Sequence, residues 1–325
     1  MKYVTIVVPD CELNLNTIAG AYEILNQANA YWERIGNTPK LYIQIAGYVK
    51  ESSVNSGYFT VHPLDISTIT KTDLLIIPSI FGDYGEAVKH NKALIEWIGQ
   101  QYKSGAEIAS MCSGAFLLAA TGLLEGKYCS THWNAIEGFR NMFPGVKIAE
   151  DKIITDENGI YTNGGGYSFL NLMLYLVEKL FDRPTAIICS KIFQIDFDRT
   201  TQSQFSIFHI QKNHGDELIS KAQTYIEENI EAKISFEKLS SELAISRRNF
   251  DRRFIKATGN TPVEYLQRVK VEAAKKELEK GRKTVFEIMN DVGYTDDKAF
   301  REVFKKVTGI SPMDYKNKYN KNAIA

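Results

Sequence analysis

A cysteine and a histidine in the first half of the sequence have the residue types and the setting for nucleophilic chemistry. Cys112 follows the predicted strand Glu107–Ser110 and precedes a helical pattern over residues 114–122. At such a sharp strand-to-helix turn a side chain is exposed beside helix N–H groups, which lower the pKa of a thiol. His132 could reach Cys112 across the end of a sheet. The pattern fits a Cys–His pair, and it also fits a buried structural cysteine beside a histidine that starts a helix.

A basic helix face near the C-terminus has the residue types that bind nucleic acid. Phe250 and Phe254 mark the buried side of a predicted helix, and at 100° per residue its opposite side carries Arg, Asn and Lys. These side chains donate hydrogen bonds to phosphates and base edges. A second predicted helix, marked by Phe300 and Phe304, has both basic and acidic residues on its outward face. The predicted DNA-binding residues of the two helices are Arg247, Arg248, Asn249, Arg252, Lys256, Lys298, Arg301, Lys305 and Lys306. For any single charge, solvation of an exposed helix face is the alternative.

An internal repeat supplies the elements that would present both helices. The apolar spacing i, i+3, i+4, i+7 begins at Phe236 and returns 49 residues later at Val285. Each copy is then predicted to form a helix, a tight turn and a second helix, which Ser246 or Thr295 would cap. Two helix-turn-helix units and two major grooves are therefore predicted. Downstream, identities recur at an offset of 50 residues, pairing Phe250, Phe254, Gly259, Pro262 and Tyr265 with Phe300, Phe304, Gly309, Pro312 and Tyr315.

The distribution of charge matches this arrangement. Residues 213–325 carry 22 Lys and Arg against 18 Asp and Glu, whereas residues 1–212 carry 17 against 21. From residue 244 onward the ratio is 19 to 11, so an anionic partner is expected for the last quarter of the chain. A long helix predicted over residues 262–279 would hold the two units about one DNA turn, on the order of 34 Å, apart. Its basic side chains predicted to reach phosphates are Arg268, Lys270, Lys275 and Lys276.

Cys112 and His132 lie in a segment where predicted strands alternate with predicted helices. Strand patterns cover residues 4–8, 41–48, 74–77 and 107–110, and helical patterns cover residues 17–34, 87–104 and 114–122. Further strands precede a glycine run at 164–166 and an apolar helix over residues 167–181. The alternation predicts an α/β fold with a doubly wound, mostly parallel sheet, followed by an all-α domain with two helix-turn-helix units.

Length and composition indicate two domains and a reducing compartment. A chain of 325 residues, 44% of them hydrophobic, can bury two cores. The predicted domains are residues 1–212, of which 191–212 form a polar linker, and residues 213–325. The four cysteines form no CxxC motif, so neither a disulfide framework nor a metal site is predicted. A cytoplasmic location is therefore expected. No cofactor is predicted. No apolar stretch is long enough for a signal peptide or a membrane span, so no membrane partner is expected.

The second copy of the repeat carries a specific motif. It reads Val292-Gly293-Tyr294-Thr295, then Phe300, Phe304-Lys305-Lys306, and finally Thr308-Gly309-Ile310-Ser311-Pro312 with Tyr315. With these residues, the segment 216–319 resembles the DNA-binding domain of the AraC/XylS family of transcription regulators. The resemblance implies double-stranded DNA and RNA polymerase as partners, and an activator more often than a repressor.

Four short motifs in the first half of the chain point to a second family. They are Ala19-Gly20 with Glu23, the run from Cys112 to Leu124, Thr131-His132-Trp133, and Gly165-Gly166 before the last helix. With these motifs, residues 2–205 resemble the ThiJ/PfpI superfamily, which has a flavodoxin-like, glutamine-amidotransferase-like fold. The resemblance is strongest to the branch fused to AraC-type domains, the GlxA-like regulators. It implies a sensor domain that also forms a homodimer.

Departures from the superfamily pattern bear on catalysis. Thr17 stands near the place of a common acidic residue, Asn171 replaces a usual Asp, and a Gly-rich loop that would face a substrate reads Pro78-Ser79-Ile80-Phe81. We therefore expect a sensor that is not an enzyme. A cysteine-dependent hydratase or amidase and a redox sensor acting through Cys112 are the alternatives. The expected ligand is a small polar metabolite at the C-terminal edge of the sheet, near Thr17, Ile80, Cys112, Ser113 and His132.

Overall fold

The computed structural model describes residues 1–208, 212 and 214–320. The chain divides into two compact units, residues 1–202 and the residues from 203 onward. The predicted linker 191–212 has a different arrangement: residues 191–193 end a helix, Gln202 belongs to the first unit, and Ser203 already belongs to the second. Residues 209–211 of that linker, residue 213 at the predicted domain start and residues 321–325 lie outside the described residues.

The first unit is built on a mostly parallel sheet. Its strands are β1 (Lys2–Val8), β2 (Leu41–Gly47), β3 (Ser52–Val54), β4 (Phe59–Val61), β5 (Leu64–Asp65), β6 (Leu74–Ile77), β7 (Glu107–Ser110), β8 (Tyr128–Cys129), β9 (Lys147–Ile148), β10 (Ile154–Glu157) and β11 (Ile160–Asn163). The main sheet has the order β10-β11-β7-β6-β1-β2-β5, and only its β10-β11 pair is antiparallel. All of β6 and most of β1 are buried, as expected for central strands covered on both faces.

Helices cover this sheet in two groups. They are α1 (Leu15–Arg34), α2 (Tyr84–His90), α3 (Lys92–Lys103), α4 (Ala115–Ala120), α5 (Ile136–Met142), α6 (Phe169–Leu180) and α7 (Arg183–Phe193). Helices α1, α6 and α7 pack together, and α2, α3 and α4 form the other group. The predicted doubly wound α/β fold is confirmed. The helix predicted over residues 87–104 is instead two helices, because Asn91 ends α2 and its side-chain amide is bound to both backbone groups of Asp10.

The described part of the second unit is helical. Its helices are α8 (Glu217–Glu228), α9 (Phe236–Glu242), α10 (Arg247–Thr258), α11 (Pro262–Lys280), α12 (Val285–Asp291), α13 (Asp297–Thr308) and α14 (Pro312–Tyr319). Phe250 and Phe254 pack in one core, and the repeat partners Phe300 and Phe304 pack in another. Helix α11 contributes to both cores. The predicted repeat of two helix-turn-helix units is therefore confirmed, and none of the described helices is long and apolar enough to cross a membrane.

The caps of the two second helices show where the sequence prediction needs correction. Ser246 caps α10 as predicted, with its hydroxyl accepting from Asn249 N. The cap of α13 is Asp296, whose carboxylate accepts from Ala299 N at 2.8 Å, so the prediction of Thr295 is wrong by one residue. The second turn is one residue longer, and this extra residue moves the N-cap to the position 50 residues after Ser246.

Two of the four lysines and arginines on α11 predicted to reach phosphates are buried. Lys270 Nζ donates to Gly293 O at 3.2 Å, and burial lowers the pKa of its ammonium. Lys275 Nζ donates to Ser206 O at 2.7 Å and pairs with Glu272 at 2.8 Å. The phosphate prediction is wrong for both lysines, because α11 is a core helix and these positions face its packed sides.

Candidate functional site

Cys112 lies at the predicted turn from strand to helix. Strand β7 ends at Ser110, a single 3-10 turn covers Cys112–Gly114, and α4 begins at Ala115. Cys112 has a φ of +54°, in the left-handed region that costs a residue with a side chain about 1–2 kcal/mol. A Cβ at Gly114 would lie 2.5 Å from Pro78 O, so glycine is needed for the turn to pack against the end of β6.

The loop after β6 is held by hydroxyl groups of the protein itself. Ser113 Oγ donates to Ile80 O at 2.5 Å and accepts from Ile80 N at 3.0 Å, while Ser79 N donates to Thr17 Oγ1 at 3.1 Å. The resemblance to the superfamily implies that backbone N–H groups of this loop would face a substrate and could stabilise an oxyanion. Two of them are therefore already occupied. Thr17, Ile80 and Ser113 are buried beside the turn at Cys112. Cys112 is itself buried, so the expectation that the turn exposes its side chain is wrong.

His132 is held as a neutral ring. Asn134 N donates to His132 Nδ1 at 3.1 Å, so the proton of the neutral imidazole is on Nε2. Burial lowers the pKa of His132, which favours the same neutral form. A Cβ at Gly165 would lie 1.8 Å from His132 Cδ2, so the glycine after β11 makes room for the ring. The imidazole can thus donate a hydrogen bond from Nε2 to a ligand.

A hydroxyl group links the Cys112 and His132 clusters. Thr131 Oγ1 donates to Cys112 O at 2.9 Å, which brings the loop of His132 to the turn of Cys112. Within residues 1–208 the structure shows no hydrogen bond between Cys112 and His132 themselves. Of the five predicted ligand residues, Cys112 and His132 are therefore placed at neighbouring loops, and the other three form the support beneath them.

Two residues missed by the sequence analysis belong to this site. Tyr84, at the start of α2, has its pKa raised by burial and by the neighbouring Cys112, and its ring stacks on Phe116. Gln202 is buried, and its amide donates to Thr131 O at 3.0 Å and accepts from Gly165 N at 3.2 Å. Tyr84 lies outside the family motifs, so its position in the sequence gave no signal. Gln202 begins the segment Gln202-Ser203-Gln204-Phe205, which resembles the end of the sensor domain, but its contacts with Thr131 and Gly165 depend on the fold.

The half-buried His132 predicts that the first unit loses stability in mild acid. The pKa is near 6.5 in the unfolded chain and lower in the folded protein, so the unfolded chain takes up the proton first as the pH falls. The contribution of neutral His132 to the free energy of unfolding is fully present above the pKa of the unfolded chain. It declines as the pH falls from about 6.5 through the pKa of the folded protein. We expect His132→Gln to flatten this dependence, whereas the exposed His90→Gln should leave it unchanged.

Tryptophan fluorescence measures this effect directly, because Trp32, Trp97 and Trp133 all lie in the first unit. Denaturant midpoints at pH 7.5 and 5.5 would be compared for the wild type and both variants. An equal pH dependence in the wild type and His132→Gln would contradict the prediction.

The outward face of α10 carries the predicted basic and amide groups. Arg248, Arg252 and Lys256 are exposed, Asn249 is half-buried, and Arg252 Nη2 donates to Asn249 Oδ1 at 3.0 Å. A shallow open depression at the start of the helix is lined by Ser246, Arg248, Asn249 and Arg252. The guanidinium groups of Arg248 and Arg252 therefore face solvent beside side chains that also donate hydrogen bonds.

Two of the predicted DNA-binding arginines are held in ion pairs. Arg247 binds Glu237 at 2.7 Å and Asp251 at 2.8 Å, which joins α9 to α10. Arg301 binds Asp297 at 2.7 Å on α13. The remaining predicted residues of the second helix, Lys298, Lys305 and Lys306, are exposed. The outward face of α13 is thus basic along one side, with acidic residues at its start.

The fold and these surfaces define a two-domain protein in which an α/β unit with a cysteine elbow precedes a pair of helix-turn-helix units. Residues 35–179 match the DJ-1/PfpI family, and residues 239–318 match a helix-turn-helix domain. The chain therefore combines a DJ-1/PfpI domain with a helix-turn-helix domain of the AraC type, as the sequence motifs predicted.

The chain is similar to proteins named as transcriptional regulators. The chain is 24% identical to the HTH-type transcriptional regulator GbdR of Pseudomonas aeruginosa, over 68% of this chain and 60% of the relative. It is also 24% identical to the HTH-type transcriptional regulator GlxA of Rhizobium meliloti, over 64% of each chain. A crystal structure of a transcriptional regulator protein from Vibrio parahaemolyticus superposes with a TM-score of 0.53 and 25% identity, covering 59% of this chain and 98% of that one.

Proposed function

We propose that this protein is a sequence-specific DNA-binding transcription regulator whose first unit senses a small ligand. The observation that carries the proposal is the exposed donor-rich face of α10, presented by a helix-turn-helix unit that the chain repeats. Arg248, Asn249 and Arg252 would contact base edges, and Lys256 would contact phosphate. On the second copy, Lys298, Lys305 and Lys306 would contact DNA. The relatives named as transcriptional regulators support this reading.

The first unit is proposed to bind its ligand without turnover. Ser79 N and Ile80 N are consumed by internal hydrogen bonds, so an anionic intermediate would lack two donors at this loop. Cys112, His132 and Tyr84 would line the ligand site, with His132 donating from Nε2. A small polar metabolite suits such a set of groups. Replacement of Cys112 by Ser should weaken the response to the ligand; loss of a peroxide response, with the response to metabolites kept, would favour the redox-sensor alternative.

Signal transfer is proposed to pass along the chain itself. Gln202 is hydrogen-bonded to Thr131, which precedes His132 in the sequence, and to Gly165, which packs against the His132 ring. The following residues, 203–208, which we call the strap, lie on the second unit: Lys318 Nζ donates to Gln204 Oε1 at 2.7 Å, and Phe208 packs edge-on to Tyr265. A ligand that displaces the His132 loop would therefore also displace the strap, which is bound to helices of the second unit.

Further elements of the proposal rest on the resemblance to the AraC and GlxA-like regulators. They are a homodimer formed through the first unit, activation in contact with RNA polymerase, and a cytoplasmic site of action. A dimer with two recognition helices per subunit would occupy paired, helically phased half-sites.

Selection from a random pool of DNA duplexes with the full-length protein tests the central proposal. Repeating the binding over a salt series separates the phosphate contribution from base readout, because the slope of affinity against salt counts neutralised phosphates. A recovered motif with paired half-sites is the expected result. Weak, steeply salt-dependent binding with no enriched sequence, in the presence and absence of candidate metabolites, would contradict it.

A further inference from the structure

Helices α10 and α13, the second helices of the two helix-turn-helix units, share one ion pair along the helix but differ in the outward-facing residues beside it. At the offset of 50 residues, Arg247 and Asp251 of α10 correspond to Asp297 and Arg301 of α13. Both are ion pairs across one helical turn, at 2.8 Å and 2.7 Å, with the charges exchanged. The repeat has therefore kept this bracing interaction in both copies while reversing its sign, so the bracing positions do not need a particular charge toward DNA.

The outward-facing pair next to it has not been kept. Asn249 and Arg252 lie one turn apart on the open side of α10, and Arg252 Nη2 donates to Asn249 Oδ1 at 3.0 Å. The corresponding residues of α13 are Ala299 and Glu302. Alanine has no hydrogen-bonding group and an ionised glutamate only accepts, so this part of α13 cannot donate a hydrogen bond.

The Asn249–Arg252 contact determines what the first pair can read. The amide oxygen of Asn249 already accepts one hydrogen bond from the guanidinium, so the groups that the pair offers to DNA are chiefly donors: the NH2 group of Asn249 and the remaining N–H groups of Arg252. Recognition of adenine by asparagine would require the same oxygen to accept a second bond from the adenine amino group, a donor placed beside the cationic guanidinium, which also donates. Guanine presents two acceptors, N7 and O6, in the major groove and requires donors alone.

We infer that Asn249 and Arg252 act as one preorganised donor unit that reads guanine, and that the second recognition helix does not read guanine at the corresponding position. The inference rests on the proposed DNA-binding function and specifies its partner. Each half-site of the operator would then contain two different subsites, one contacted by α10 and the other by α13. Arg252 would determine the sequence preference of the subsite that α10 contacts.

Selection from random duplexes with full-length variants tests the inference. Arg252→Lys keeps the charge but loses the planar fork, so affinity for guanine-containing sites should fall roughly ten- to hundred-fold with little change in the salt slope. Lys256→Ala is the matched control, expected to weaken all sequences alike and to lower the salt slope. The double replacement Ala299→Asn with Glu302→Arg transplants the reading pair and should create a guanine preference in the second subsite.

The outcomes separate this inference from the function on which it rests. If the wild type enriches no motif, the proposed DNA-binding function fails, and the inference fails with it. If the wild type enriches a motif that Arg252→Lys leaves unchanged, the function stands and the reading role of Arg252 is overturned. If the transplanted pair leaves the second subsite unchanged, the assignment of unlike subsites to these two positions is overturned.

Discussion

Replacement of Lys275 by alanine is expected to lower the free energy of unfolding of the second unit by about 3–5 kcal/mol, the usual cost of removing one partner from a buried ion pair. The Lys275 side chain is 5% exposed and that of its partner Glu272 is 15% exposed, so the remaining carboxylate would have little access to water. Within the part of the chain that the structure describes, Glu272 would retain the hydrogen bond from Phe208 N, at 3.2 Å.

Replacement of Lys275 by alanine should also release the strap from α11. Lys275 Nζ is the donor to Ser206 O, so the alanine variant removes the bond that fixes the middle of residues 203–208 to α11. Faster hydrogen exchange is therefore expected in the strap as well as in α11. If the strap transmits the ligand signal, DNA binding by this variant should become independent of the ligand.

Lys276 provides the matched control for this prediction. It is the next residue on the same helix and is exposed, so Lys276→Ala should change stability by no more than about 0.5 kcal/mol. Hydrogen exchange of the full-length protein, resolved by peptide, measures both variants, and tryptophan fluorescence serves as a reference for the first unit. Equal protection of α11 in the two variants would contradict the assignment of Lys275 to a structural role.

Replacement of Gly293 by alanine is expected to destabilise the second helix-turn-helix unit by about 2–5 kcal/mol, which combines backbone strain with overpacking. Gly293 has a φ of +71°, and a Cβ there would lie 2.4 Å from Glu231 O. The contact atom belongs to the backbone, so it cannot move aside as a flexible side chain would. The same residue also holds Lys270 through its carbonyl oxygen.

The first copy of the repeat offers the reverse experiment. Ala244 occupies the corresponding turn with a φ of +55°, so it bears the strain of a left-handed residue with a side chain. Ala244→Gly should relieve that strain and change stability by up to about 1 kcal/mol in the favourable direction, after the entropic cost of glycine is deducted. Thermal unfolding followed by circular dichroism compares the two variants. Destabilisation of similar size in both would show that turn geometry does not explain the difference.

The elements of the fold were largely predictable from local patterns. The central strands β6 and β7 were predicted at their observed bounds, and β1 differed only by two residues at its start, because buried parallel strands are short apolar runs. Helix α7 was missed because its residues are mixed in polarity and lie next to the predicted linker. The break at Asn91 was missed because its cause is a contact with Asp10, which is distant in sequence.

The candidate sites were predictable in part. Motif spacing placed Cys112 at its turn and the basic face on the open side of α10. It did not assign Thr17 and Ser113 to a supporting network, nor did it predict the ion pairs of Arg247, because each of these depends on a partner from another element. A cation on a helix is equally compatible with solvent, a carboxylate or a phosphate until its neighbours are known.

Local sequence patterns are enough to establish the repeat of two helix-turn-helix units, the position of the cysteine elbow and most of the order of the elements. These follow from the period of apolar residues and from glycine, proline and capping residues, whose effects are local. Which polar groups remain available for a ligand or for DNA depends on contacts between segments that are distant in the sequence. Hydrogen bonds and ion pairs over long sequence separations consume the N–H groups of Ser79 and Ile80 and the charge of Lys275, and they leave the donors of Asn249 and Arg252 facing outward.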